Sequence, residues 1–322
     1  MDRQLLSNLS ENELCGFCEI FGAYMEGKFG QKWGSFMQVF RFLLERNINH
    51  NSESEQKLTA QEIYEWVLAA KADLRVAKMV NSMNLKEQNY HLSALSVYHL
   101  QQSVEKATKA FGLDRQMILR SDLKGKDQIS HVSPKVFIKR LKEKLLNEPL
   151  GIFLNNSKLR SQIEMFSENI EDRVFLNLEG KRIGDYLTNS REISRKFENT
   201  LPAVFNRKFR KTWKTISGGV AEAIQKSELI DEKNKPHAVK FVSEIDLPFE
   251  WKYLIHTMSF TTGLYYLSII TYAHEAFTRY PGGKITPRDY TENMGIVAKF
   301  DEIVEYFEPI LNELEIDLDP NK

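Results

Sequence analysis

Residues 59–83, TAQEIYEWVLAAKADLRVAKMVNSM, and residues 87–112, EQNYHLSALSVYHLQQSVEKATKAFG, decide the fold of this chain. In both, apolar residues recur at intervals of three and four, the spacing of one face of an α-helix. Thr59 and Glu62 have the spacing of a capping box, in which each side chain satisfies the other residue's free backbone N–H, so the first helix is expected to begin there. Gly112 is the expected C-cap of the second, because glycine readily takes the left-handed conformation that ends a helix.

The same spacing continues outward from this pair. On the N-terminal side, Leu14, Phe17, Ile20, Phe21, Tyr24 and Met25, then Phe36, Val39, Phe40, Leu43 and Leu44, predict two helices broken between Gly27 and Gly34. The polar run Asn47–Gln56 is a linker, and Ser121–Ser130 is a polar loop. Helical spacing returns over Pro134–Leu146. From about Glu148 to Pro248 the chain is richer in glycine, proline and mixed charge, and it reads as shorter helices with loops forming a separate subdomain. Three segments close the chain: Phe249–Phe277, a loop with Arg279-Tyr280-Pro281-Gly282-Gly283, and Pro287–Leu314. The expected class is therefore all-α, a helical bundle with an inserted helical subdomain. Its expected parts are an N-terminal extension over 1–57, a core over 58–146 and 249–322 with an acidic tail, and an insertion over 147–248.

Composition agrees with a globular helical protein: 42% of residues are hydrophobic and 27% charged, and only nine prolines are present, too few for a fold built on tight turns. Lys plus Arg and Asp plus Glu each number 44, so no net field draws the whole molecule to nucleic acid or anionic lipid. Any such binding has to rest on a local patch. Residues Met1–Ser7 do not read as a basic segment leading into an apolar stretch, and the expected compartment is the cytoplasm. Tyr253–Ala273 carries no formal charge, but its serines, threonines and His256 point to a buried core helix rather than a membrane span.

Several short motifs carry chemistry in other contexts. Cys15-Gly16-Phe17-Cys18 has a redox spacing but no flanking strand–helix–strand pattern, and zinc would need two more ligands, so it reads as two small residues in an amphipathic helix. His274-Glu275 lacks the second histidine of a zinc-protease helix. Ser217-Gly218-Gly219 precedes a helical pattern, where it can start a helix or make a poor phosphate loop. Neither a metal nor a cofactor is expected.

Ala72-Asp73-Leu74-x-x-Ala77 on the first long helix, and His99-x-Gln101-Gln102-x-x-Glu105-Lys106-x-x-Lys109-Ala110 on the second, resemble the paired-helix signature of the HEPN family (higher eukaryotes and prokaryotes nucleotide-binding). The likeness continues at Ser130-His131 and at Arg279-Tyr280-Pro281, the latter resembling the family's loop after a long apolar helix. The resemblance implies a core of about 58–146 plus 249–315, a homodimer formed through the long helices, and a nucleotide or RNA ligand. The insertion and the N-terminal extension depart from the compact family pattern.

The residues themselves leave alternatives open. Gln102, Glu105 and Lys109 share one helix face, with Glu105 favourably placed N-terminal to Lys109, and such a stripe can line a groove, meet a partner or face water. Arg279, followed by Tyr280 and a proline that restricts the backbone, can hold a phosphate or carboxylate through its guanidinium, or tie the loop to a helix end. Gln102, Glu105, Lys109, Arg279 and Tyr280 are the candidate ligand-binding residues.

Many HEPN proteins resemble metal-independent ribonucleases that use an arginine followed, after four to six intervening residues, by a histidine. No histidine here has that spacing: Arg120 lies too far before His131, Lys126 has the spacing without the planar guanidinium, and Arg46 is too close to His50. A ribonuclease with a diverged site, using His131, Lys126 and Arg279, is thus the second hypothesis. A structural helical scaffold is the third.

Charge is also segregated along the chain. Arg207, Lys208, Arg210, Lys211 and Lys214 interleave with Phe205, Phe209 and Trp213, a combination that can track a phosphate backbone while rings stack on bases. Helical spacing offers the other reading, in which the rings form a buried face and the cations face water. Asp301–Asp319 holds eight acids and no base, suited to pairing between subunits, pairing within the chain, or solubility. The resemblance implies, as the first hypothesis, a non-catalytic HEPN-like nucleotide- or RNA-binding interaction protein, acting beside a nucleotidyltransferase or in a toxin–antitoxin or phage-defence setting.

Overall fold

The computed structural model describes residues 9–29, 58–87, 89–115, 180–204, 207–244, 247–272, 274, 278 and 285–321. Among them there is no strand. The helices are α1 (Glu11–Phe29), α2 (Ala60–Glu87), α3 (Tyr90–Asp114), α4 (Gly180–Val204), α5 (Arg207–Lys226), α6 (Lys235–Glu244), α7 (Leu247–Tyr272), α8 (Gly295–Ala298) and α9 (Phe300–Leu318), with a 3-10 turn at Pro287–Asp289. The fold is all-α.

The chain folds as two compact units, one of Met1–Ser54, Leu145–Ser157 and Lys196–Thr257, the other of Glu55–Lys144, Lys158–Arg195 and Met258–Lys322. The first groups the N-terminal segment with most of the expected insertion. The second takes in Lys158–Arg195, which the sequence pattern assigns to that insertion. The described part of 148–248 also differs from the expected short helices, since α4 spans 25 residues and α5 spans 20. Ile183, Leu187, Ser190 and Ile193 form a regular buried face on α4, enough to carry the helix through Gly184.

In the first unit α1 and α6 pack on α5. Phe17 meets Phe241 edge-on at 6.0 Å between ring centroids, and Phe21 meets Trp213 at 6.2 Å. Ser217, Gly218 and Gly219 lie inside α5 rather than at its start. Gly219 is there for space: a Cβ on it would sit 1.9 Å from the Tyr24 hydroxyl and 2.3 Å from Cζ of that ring.

The start of α1 is fixed by the carboxylate of Glu13, three residues after Ser10 as in a capping box. Glu13 accepts hydrogen bonds from the Ser10 backbone N–H and hydroxyl, both at 2.8 Å, closing a capping box. Its other oxygen accepts from Asn234 Nδ2 at 2.8 Å and from the Asp231 N–H at 3.1 Å. The Asn234 amide above all, with the Ser10 donors, holds this carboxyl down to a pKa of about 2.

The second unit is organised on the α2–α3 hairpin. Thr59 and Glu62 make the expected reciprocal cap, with the Thr59 N–H 2.8 Å from Glu62 Oε2 and the Glu62 N–H 3.1 Å from Thr59 Oγ1. The two helices approach through small residues at a seven-residue interval: the Ser96 hydroxyl donates to the Ala77 carbonyl at 3.1 Å and the Ser103 hydroxyl to the Ala70 carbonyl at 2.6 Å. The turn is held by Asn84, which accepts from the Asn89 N–H at 2.8 Å and donates to Ser93 at 2.9 Å. Helix α3 runs past Gly112 to Asp114 and is capped at Arg115. Phe111, Gly112 and Leu113 are all buried, so packing carries the helix through the glycine that was expected to end it.

Helix α7 contributes the stretch Phe260–Thr271, every residue of which is buried, as expected of a core helix. No described helix is long and apolar enough to cross a membrane. Two hydroxyls of α7 find partners: Thr271 donates to the Leu267 carbonyl at 2.9 Å, and Ser268 lies 3.3 Å from the Thr108 hydroxyl of α3. The final helix begins at Phe300, later than Pro287, because Thr286 and Asp289 cap a 3-10 turn reciprocally and α8 intervenes.

Helix α9 buries Phe300, Ile303, Val304, Phe307, Leu311, Leu314 and Leu318, and three of its acids meet α2. Lys71 pairs with Glu315, Lys78 with Glu308 at 2.9 Å, and Asn81 donates to Asp301 at 3.2 Å. Positions rise on one helix as they fall on the other, so the two run antiparallel with ion pairs seven residues apart. Of the roles open to the acidic segment, these contacts show pairing within the chain.

Candidate functional site

The side chains that the sequence singled out on the long helices converge along one edge of the hairpin. Asp73, on α2, is approached by two residues of α3. His99 donates from Nδ1 to Asp73 Oδ1 at 2.9 Å, and the Lys106 ammonium pairs with Oδ2 of the same carboxylate. One carboxylate thus fixes two groups seven positions apart on the facing helix and holds the imidazole with Nε2 unbound by it. All three side chains are half-buried.

A second chain of contacts lies alongside. Gln102 Nε2 donates to Gln101 Oε1 at 2.6 Å, Gln101 Nε2 donates to Glu105 Oε2 at 2.9 Å, and Lys109 reaches Glu105 Oε1 at 2.5 Å. The Lys109 ammonium also stands 5.4 Å from the centre of the Trp66 ring. Water is largely excluded here, since Lys109 is 8% exposed and Gln101 2%. The stripe formed by Gln102, Glu105 and Lys109 is therefore a hydrogen-bonded seam set into the hairpin more than a solvated face. Buried charges of this kind are tolerated only when paired and hydrogen-bonded, and both are.

A third feature stands where α7 ends. His274, 2% exposed, shares a hydrogen bond of 2.9 Å with the Tyr290 hydroxyl, their rings edge-on at 5.6 Å. Burial lowers the histidine's pKa to about 4, and burial together with Asp289 raises that of the Tyr290 phenol, so both are neutral at physiological pH. On α4 and α9, Ser190 and Tyr306 meet hydroxyl to hydroxyl at 2.5 Å, and Arg191 lies 5.2 Å from the Tyr306 ring centre.

His131, Lys126, Arg279 and Tyr280 lie outside the described residues. So do the side chains of Arg207, Lys208, Arg210 and Lys211, whose backbone forms the start of α5. Further along that helix Trp213 is buried against Phe21 and Lys214 is exposed, so the indole is engaged in packing. Cys15 is exposed and Cys18 half-buried, both within α1. Among the described residues no group of histidine, cysteine and carboxylate side chains could hold a metal ion.

Sequence reasoning names Asp73, His99 and Lys106 only as points of resemblance and does not reveal that they touch. The signal available is the seven-residue interval between His99 and Lys106, which puts both on one stripe. Trp66 carries no signal beyond its place in an amphipathic helix.

No protein-family model, curated protein or solved structure matches the chain.

Proposed function

We propose that this chain is a HEPN-like module that binds a nucleotide or RNA and works through interaction rather than catalysis. One observation carries the reading. The positions that resemble the family signature, Asp73 on α2 and His99 and Lys106 on α3, are 26 and 33 residues apart in sequence and yet form one hydrogen-bonded group. A resemblance by coincidence of composition gives no reason for those positions to meet.

On this reading the protein acts in the cytoplasm as a homodimer, beside a nucleotidyltransferase or an antitoxin partner. The test is incubation of the pure protein with a mixed RNA pool, without and with EDTA, alongside His131→Ala and Arg279→Ala, with RNA and nucleotide retention measured on the same samples. Intact RNA that is retained by the protein is the expected result. Metal-independent cleavage lost in either variant would make this a diverged ribonuclease, and no retention of RNA or nucleotide would leave a structural scaffold.

A further inference from the structure

Three polar side chains on α3, His99, Gln102 and Lys106, stand at i, i+3 and i+7 and therefore share one stripe of the helix. Each is half-buried, and each keeps hydrogen-bonding capacity after its internal contacts are counted. Lys106 carries three N–H donors and uses one on Asp73. Gln102 donates one of its two amide hydrogens to Gln101. His99 spends Nδ1 on Asp73 and leaves Nε2, which donates when the ring is protonated.

What remains is a row of side chains held in place from behind, with donors on Gln102 and Lys106 and, when the ring is protonated, on His99. Asp73 is the positioning residue: it touches His99 and Lys106 from the facing helix, fixes the imidazole's rotation and draws the lysine back along the stripe. A group with several acceptor oxygens, able to take two or three of these donors at once, fits the row better than a single carbonyl does. The seam beside it gives a rigid floor, because Gln101, Glu105 and Lys109 are already bonded to one another and cannot swing out to compete.

We propose that His99, Gln102 and Lys106 form a binding site for a phosphate group, oriented by Asp73. The proposal rests on the reading of the chain as a nucleotide- or RNA-binding module and specifies where on it the phosphate sits. The phosphate can come from a free nucleotide or from an RNA backbone, and the stripe offers the same donors to either.

The experiment is isothermal titration calorimetry of the full chain with a nucleoside triphosphate and, separately, with a short single-stranded RNA. The proteins are wild type, His99→Gln, Lys106→Met and, as a control on the same helix, the exposed His91→Ala, with thermal melts confirming that each is folded. Loss of a charge-assisted hydrogen bond lowers affinity by about tenfold or more, and that loss is expected in both site variants and not in His91→Ala. Whichever of the two probes binds identifies the source of the phosphate. Binding that survives unchanged in His99→Gln and Lys106→Met overturns the site and leaves the nucleotide-binding reading standing. Failure of wild type to bind either probe overturns both.

Discussion

Glu13 and Asn234, separated by 221 positions in the sequence, are joined by a hydrogen bond of 2.8 Å inside the first compact unit. The same carboxylate caps the start of α1, so local and distant structure share one side chain. Glu13→Ala is expected to destabilise this unit by about 3 kcal/mol, because it removes a helix cap and strands the buried Asn234 amide. In a double-mutant cycle with Asn234→Ala, read by denaturant unfolding, the two losses should fall well short of additive.

The adjacent glycines of α5 should respond in opposite directions to the same change. A Cβ on Gly218 meets nothing within 4 Å, so Gly218→Ala gains helix propensity and is expected to stabilise by about 0.5–1 kcal/mol. A Cβ on Gly219 collides with the stiff ring of Tyr24, so Gly219→Ala should cost about 1–3 kcal/mol. Equal effects in thermal melts would contradict the packing of Tyr24 on this helix.

These cases show what the sequence carried and what it did not. The α2–α3 hairpin was legible because its signals are local: a cap closed within four residues, and a spacing repeated over many turns. Gly112 misled because a glycine is read as a stop only when nothing beyond it is buried, and here Phe111 and Leu113 pack on both sides. The fate of the acids in 301–319 was illegible for the opposite reason. Their partners Lys71 and Lys78 stand 244 and 230 positions away, and no local pattern announces them. The candidate site is intermediate, since its members could be named from the resemblance but their contact depends on the register of two helices.

Acid should loosen the fold through His274. Its pKa is about 4 when folded against an ordinary value of 6.5, so above pH 6.5 it is neutral in both states and contributes no pH dependence. As pH falls from 6.5 to 4 the unfolded chain takes up a proton that the folded chain refuses, and stability drops by on the order of 3 kcal/mol. His274→Gln keeps a partner for Tyr290 without a titrating ring. Melting temperatures measured across this range should decline less steeply in that variant than in wild type.

The buried pair of Glu105 and Lys109 should show the asymmetry of low-dielectric ion pairs. Lys109→Met alone removes the ammonium that Glu105 bonds at 2.5 Å and is expected to cost about 3–5 kcal/mol, whereas Glu105→Leu with Lys109→Met should restore most of the loss. Chemical denaturation of the two variants decides it, and a double variant no better than the single one would mean that the pair is held by contacts other than its own charge.

The antiparallel seam between α2 and α9 also sets an order of events during synthesis. The hairpin is complete when Asp114 has been made, but Glu308 and Glu315 follow roughly 200 residues later, on the order of 10–40 s at typical elongation rates. Until then Lys71 and Lys78 lack the α9 carboxylates with which they pair in the folded protein. A ribosome stalled before α9 would therefore display a hairpin whose Lys71 and Lys78 have yet to meet Glu315 and Glu308, and release of the last helix is the step that joins them.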